Sequence, residues 1–132
     1  MPTPHALIVE DELLVAMHLQ DLLMAHGYGS YAFAAAAMQA VEQARLRRPD
    51  LITMDVGLIH GDGLEAARAL REICPGVPML YVTGSPEVVR DEPGAVVLEK
   101  PITARDLRLA LKEVKTPLSG EGYRQASSPS VI

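Results

Sequence analysis

Four apolar runs, separated by segments with helical spacing, constrain the fold more than any other feature of the sequence. The runs are "HALIV" (5–9), "LITM" (51–54), "VPMLYV" (77–82) and "AVVL" (95–98). None of them alternates regularly with polar residues, which is typical of parallel strands that are buried on both faces. A weaker run, "YGSYA" (28–32), predicts a further strand at an edge of the sheet.

The segments between these runs carry apolar residues three or four positions apart, as amphipathic helices do. This spacing predicts helices around Leu19, Val41, Leu70 and Leu107. The candidate N-terminal caps of the last two helices are Asp62 with Glu65 and Thr103 with Asp106. The alternation of strands and helices predicts an α/β sandwich of three layers, with right-handed crossovers.

Length and composition narrow the possible classes of protein. The 132 residues, 48% of them hydrophobic, suffice for one folded domain. The net charge of -5 argues against direct nucleic-acid binding, and the single cysteine, Cys74, excludes an internal disulfide. No run is long enough to span a membrane, and no leader segment is evident, so we expect a cytoplasmic protein. We expect residues 1–115 to form the domain and 116–132, rich in Ser, Gly and Pro, to be a flexible tail.

Polar residues follow the predicted strands where each of them ends. Glu10 and Asp11 follow the first strand, Asp55 the third and Lys100 the fifth, while Thr83 ends the fourth. The carboxyl ends of parallel strands share one edge of the sheet, so these side chains are expected to meet. Converging carboxylates repel each other unless a cation joins them, and oxygen ligands suit Mg²⁺. The residues therefore predict a small magnesium site that handles a phosphoryl group.

The motifs "LIVEDE", "LITMDVGLIHGDGLE", "YVTG" and "LEKP", in this order, resemble the receiver domain of bacterial two-component response regulators. The resemblance extends from Ala6 to Val114. It implies a flavodoxin-like (CheY-like) fold whose five-stranded parallel sheet has the order 2-1-3-4-5. It also implies a phosphoacceptor that takes its phosphoryl group from a histidine kinase or a phosphotransfer protein. Signalling would then proceed through an unknown downstream protein, or the domain would act as a phosphate sink.

The resemblance assigns a role to each residue of the predicted site. Asp55 resembles the phosphoacceptor, and Thr83 resembles the switch hydroxyl that binds a phosphoryl oxygen. Glu10 and Asp11 resemble the acidic pair that holds Mg²⁺, Asp11 directly and Glu10 through water. The backbone carbonyl of Gly57 and the carboxylate of Asp55 would be further ligands. Lys100 resembles the lysine that pairs with Asp55 or its phosphate, followed by Pro101, often a cis bond in the family.

The sequence departs from the family pattern at three places. Ile59 stands four residues after Asp55, where the family usually has proline. Val97 stands where receivers have an aromatic switch residue, and Tyr81 is the nearest aromatic that can substitute for it. The connection "GSPEVVRDEPGA" (84–95) contains Pro86 and Pro93, so we expect a shortened or missing fourth helix and a mobile segment. The "TG" after the fourth strand resembles a receiver subgroup linked to general stress signalling in alphaproteobacteria.

Other functions are less well supported by the residues. A phosphorylation-independent interaction module is the main alternative, although Asp11, Asp55 and Lys100 are all present. An aspartate-based phosphatase needs a second acid two residues after its nucleophile, where this chain has Gly57. Dinucleotide binding needs a glycine-rich turn after the first strand, and "VEDELL" has none. Any enzymatic activity is therefore expected to be limited to self-phosphorylation and self-dephosphorylation.

Overall fold

The computed structural model describes residues 3–57 and 63–115. Strands and helices alternate along the described chain. The strands are β1 (His5–Val9), β2 (Ser30–Ala34), β3 (Leu51–Asp55), β4 (Met79–Thr83) and β5 (Val96–Glu99). The helices are α1 (Leu13–Met24), α2 (Ala37–Leu46), α3 (Gly63–Ile73) and α4 (Ala104–Lys115).

The strands form one parallel sheet with the order β2-β1-β3-β4-β5, which confirms the predicted topology. The order reverses at β1, because the chain first adds β2 on one side and then β3 on the other. In the register between β1 and β3, Val9 lies beside Met54. Glu10, which directly follows β1, and Asp55, the last residue of β3, therefore come to the same point of the edge, where α/β sheets of this kind place their ligands.

Each face of the sheet has its own apolar core, which explains the absence of alternation in the strands. On β1, Ala6 and Ile8 pack in the core formed with α1 and α4, whereas Leu7 and Val9 pack in the core formed with α2 and α3. All residues of β1 are buried. The protein is thus the predicted three-layer sandwich, with two helices on each face of the sheet.

Most strands lie one or two residues further along the chain than the apolar runs indicated. The runs stopped before Asp55 and Glu99, but each of these residues is the last of its strand. Thr83 ends β4, as predicted. The run at 28–32 also marks a strand that begins only at Ser30. An apolar run marks where the chain is buried. The hydrogen bonding between strands continues beyond it, into the polar residues at the edge of the sheet.

The connection between β4 and β5 holds a single 3₁₀ turn, Pro86–Val89. The prediction that the helix of this connection, the fourth in the family, is shortened is therefore confirmed. The cap of α4 is also confirmed, since the backbone N–H of Asp106 donates to Thr103 Oγ1 at 3.0 Å. The predicted cap residue Asp62 and the predicted tail, 116–132, lie outside the described residues. Among the described helices, none is long and apolar enough to cross a membrane.

Candidate functional site

Three carboxylates meet at the edge of the sheet where β1 and β3 end. Glu10, Asp11 and Asp55 each offer an oxygen, and these oxygens lie within 4.8 Å of one another. Glu10 and Asp55 are both only 5% exposed. Glu10 Oε1 is buried and has no hydrogen-bond partner among the described residues. A buried oxygen without a hydrogen-bond partner among the described residues, beside two further carboxylates, fits a hard cation such as Mg²⁺.

The pKa of Glu10 shows the effect of burying carboxylates close together. Burial of the side chain, and then the neighbouring charge of Asp55, raise the pKa of Glu10 to about 7. Two carboxylates that share one buried site cannot both ionise freely unless positive charge is supplied. The geometry thus favours the binding of a cation or of a positively charged side chain.

Lys100 provides one positive charge at the mouth of the cluster. Its Nζ lies 3.3 Å from Glu10 Oε1, although not in hydrogen-bonding geometry, and 3.5 Å from Asp55 Oδ2. Burial lowers the pKa of Lys100, but the charges of Glu10 and Asp55 outweigh this effect and the pKa is raised. The peptide bond between Lys100 and Pro101 is cis, as the resemblance implied. The lysine is therefore held in its charged form beside the predicted phosphoacceptor.

Glu12 was not predicted to belong to the site. Glu12 immediately precedes α1, and its Oε1 lies 3.4 Å from Lys100 Nζ. Its side chain is 65% exposed, so the contact is weak. A sequence signal for this contact existed, because Glu12 follows the first strand, Lys100 follows the fifth, and the ends of parallel strands share one edge of the sheet.

The chain directly after Asp55 is shaped by two glycines. The backbone N–H of Gly57 donates to Asp55 Oδ1 at 2.9 Å, and this bond orients the carboxylate. A Cβ at Gly63 would lie 2.4 Å from Val56 Cα and 2.7 Å from the carbonyl oxygen of Asp55. The first residue of α3 is therefore glycine because the helix begins against the backbone of this loop. The proposed role of the Gly57 carbonyl as a metal ligand stays a prediction.

Thr83 lies on β4, next to β3, and is 4% exposed. Its Oγ1 accepts a hydrogen bond of 2.9 Å from the backbone N–H of Ser85. Tyr81, two residues earlier on the same face of the strand, pairs in register with Val97 of β5. This chain lacks the family's aromatic residue at Val97, and an aromatic side chain, that of Tyr81, lies beside this position on the adjacent strand.

The structure brings four of the predicted site residues together, namely Glu10, Asp11, Asp55 and Lys100. Thr83 lies at the same edge, on the strand between β3 and β5.

Comparison with known families agrees with this arrangement. The family model of the response regulator receiver domain matches residues 6–112. The chain belongs to this family. Receivers of the family bind Mg²⁺ at an acidic pocket and interact with histidine kinases or phosphotransfer proteins. This chain has an acidic cluster, formed by Glu10, Asp11 and Asp55, at the same edge of its sheet.

Some relatives of this chain are longer than the chain itself. The transcriptional regulatory protein PdtaR of Mycobacterium tuberculosis is 36% identical over 110 residues, which cover 80% of this chain and 54% of PdtaR. The receiver domain of PhyR from Erythrobacter litoralis is 29% identical with a TM-score of 0.75, over 89% of this chain and 96% of that domain. The PhyR stress response regulator is 26% identical with a TM-score of 0.73, over 86% of this chain and 45% of that chain. The receiver thus spans about half the length of its curated relative PdtaR.

Proposed function

We propose that this receiver is a phosphoacceptor in a two-component phosphorelay, and that Asp55 takes the phosphoryl group from a histidine kinase or a phosphotransfer protein. The observation that carries the proposal is the environment of the Asp55 carboxylate. One of its oxygens accepts a hydrogen bond from Gly57, and the other lies 3.5 Å from the Lys100 ammonium. This carboxylate is fixed in place and lies at the sheet edge, where a donor can approach.

The chemistry of the transfer is a displacement at phosphorus. An Asp55 oxygen forms a new P–O bond while the P–N bond to the donor histidine breaks, and the histidine nitrogen leaves with its electron pair and takes up a proton. Lys100 neutralises charge on the phosphoryl oxygens during this exchange. Glu10, Asp11, Asp55 and the carbonyl of Gly57 are the residues that would hold Mg²⁺. When bound, Mg²⁺ supplies further positive charge to the phosphoryl oxygens.

Thr83 is proposed to respond to the phosphoryl group. Its hydroxyl is engaged by the backbone N–H of Ser85 in the present structure. A phosphoryl group on Asp55 presents new acceptor oxygens, and we propose that the Thr83 hydroxyl turns towards one of them. Such a turn changes the first contact of the connection between β4 and β5.

Several parts of this account rest on the sequence and stay proposals. Residues 1–115 are proposed to form the receiver and 116–132 a tail. The output is proposed to be contact with a downstream protein or the draining of phosphate from a kinase, in the cytoplasm. The likeness to the PhyR stress response regulator supports a role in general stress signalling. The alternative of a phosphorylation-independent module is less well supported, because the pairing of Lys100 with Asp55 is retained.

The proposal is tested by incubating the protein with acetyl phosphate and measuring its intact mass. We expect one phosphoryl group on the wild type with Mg²⁺ and none with EDTA. Asp55→Asn should remain unlabelled. Asp21→Asn, which makes the same chemical change at an exposed position of α1, serves as the matched control and should be labelled like the wild type. Labelling of Asp55→Asn at the wild-type level would refute the role of Asp55.

A further inference from the structure

The connection between β4 and β5 replaces a helix, yet contacts fix it at both ends and in the middle. At its start, the backbone N–H of Ser85 donates to Thr83 Oγ1 at 2.9 Å. In its middle, Val89 is 0% exposed and packs in the core on the α3 face of the sheet, which also contains Tyr81. At its end, Glu92 forms ion pairs with α3. The segment, residues 85–92, is called the strap below.

The Glu92 contact is the distal anchor of the strap. Its Oε2 lies 2.9 Å from an Arg68 nitrogen, and its Oε1 lies 3.5 Å from an Arg71 nitrogen. The Glu92 side chain is only 9% exposed, and Oε1 is buried without a hydrogen-bond partner among the described residues. A carboxylate so far removed from water depends on the two arginines for its stability. The charge of Glu92 is therefore what these two ion pairs between the end of the strap and α3 require.

Arg71 connects this anchor to the interior of the sheet. Its guanidinium carbon lies 5.6 Å from the centre of the Tyr81 ring, which is 1% exposed. A guanidinium over an aromatic face at this distance is attracted to the ring. Tyr81 lies two residues before Thr83 on the same face of β4. One arginine therefore contacts both the distal anchor and the strand that carries the proposed switch hydroxyl.

We propose that the strap is a latched element: the Glu92 ion pairs with Arg68 and Arg71 hold it closed, and displacement of the Thr83 hydroxyl loosens it. The proximal anchor uses the hydroxyl that is proposed to turn towards phosphorylated Asp55. When this hydroxyl turns, Ser85 loses its acceptor and the strap remains held by Val89 and Glu92. The latch itself depends on the described contacts alone, whereas its control by Asp55 rests on the proposed function.

The latch is tested by amide hydrogen exchange of Glu92→Gln without any phosphoryl donor. Four strap or strap-end amides are hydrogen-bonded within the connection, those of Val88, Arg90, Glu92 and Ala95. We expect these amides to exchange about tenfold faster in the variant, because an opening that breaks the anchor no longer breaks an ion pair. Exchange at Ile52, whose N–H donates to the carbonyl of Pro78 across the sheet, should be unchanged and shows that the fold is intact.

Glu87→Gln is the matched control, since it makes the same change at an exposed position of the same strap. Its strap amides should exchange at the wild-type rate. Equal exchange in Glu92→Gln and the wild type would overturn the latch. Equal acceleration in both variants would also overturn it, because general loss of negative charge would then be the cause.

Control by Asp55 is tested by repeating the exchange after incubation with acetyl phosphate and Mg²⁺. We expect faster exchange at Val88 in the phosphorylated wild type and no change in Asp55→Asn. A phosphorylated protein, verified by mass, with unchanged exchange at Val88 would overturn the coupling alone. Absence of phosphorylation would overturn the proposed function and the coupling with it. The Glu92→Gln measurement would then still decide the latch.

Discussion

Replacement of Gly63 by alanine tests how closely the site depends on the backbone after Asp55. The new Cβ would lie 2.4 Å from Val56 Cα, whereas ordinary contacts begin at 3.4 Å. The obstructing atoms belong to the backbone, so the start of α3 and the loop must separate by about 1 Å. Forcing an extra carbon into a packed position costs about 1–3 kcal/mol. Alanine offsets part of this through its higher helix propensity, by at most about 1 kcal/mol.

The same displacement is expected to affect the reaction more than the stability. A misplacement of about 1 Å can lower the rate of an oriented reaction about 100-fold. We therefore expect Gly63→Ala to lose about 1–2 kcal/mol in free energy of unfolding. We also expect uptake of phosphate from acetyl phosphate to be slower by one to two orders of magnitude.

Urea titration and a time course of intact mass measure the two effects. Gly84→Ala is the matched control, because nothing lies within 4 Å of a Cβ at that position. Its free energy of unfolding should stay within about 0.5 kcal/mol of the wild-type value. Wild-type stability and labelling rate in Gly63→Ala would refute the reasoning, since the loop would then be free to move away without cost.

Three further substitutions probe separate contacts of the site. Lys100→Met should slow phosphoryl uptake about 100-fold in the same time course, because the charge beside Asp55 is lost; a wild-type rate would exclude a role for this lysine. In EDTA, the free energy of unfolding of the wild type should fall relative to that of Glu10→Gln as the pH rises from about 4.5 to about 7. The native state retains the Glu10 proton to higher pH than the unfolded chain does. If this is wrong, the free energies of unfolding of the two proteins, from urea titrations at several pH values, will change in parallel with pH. Tyr81→Phe should leave the free energy of unfolding unchanged or raise it by up to about 1 kcal/mol, since the buried hydroxyl has no hydrogen-bond partner among the described residues; a loss above about 1 kcal/mol in urea titration would reveal a partner.

The order of elements could be predicted from the sequence because burial on both faces leaves continuous apolar runs. The end of β4 at Thr83 was predicted, whereas the end of β3 was not, since Asp55 pairs within the sheet although its side chain is polar. The site residues were predictable because each follows or ends a strand, and parallel strands bring such positions together.

Ion pairs between residues distant along the chain could not be predicted from the sequence in this way. The ion pairs of Glu92 with α3 join a loop to a helix more than twenty residues away. In sequence, Glu92 is one acid among several in a proline-containing loop. The expectation of a mobile connection considered only the chain's local preferences, which do not include a tertiary contact such as the burial of Val89. Whether the strap moves stays a prediction for the exchange measurements.

The position of the phosphoryl group tests the central claim most directly. After labelling with acetyl phosphate and Mg²⁺, borohydride reduces an aspartyl phosphate to homoserine, and peptide fragmentation then locates the altered residue. Cleavage after Arg47 and Arg68 releases a peptide that contains three aspartates, Asp50, Asp55 and Asp62, so Asp55 is compared with two other aspartates within one molecule. We predict conversion at Asp55 alone, and its loss when EDTA is present. Conversion at Asp50 or at another acid, with Asp55 unchanged, would contradict the account.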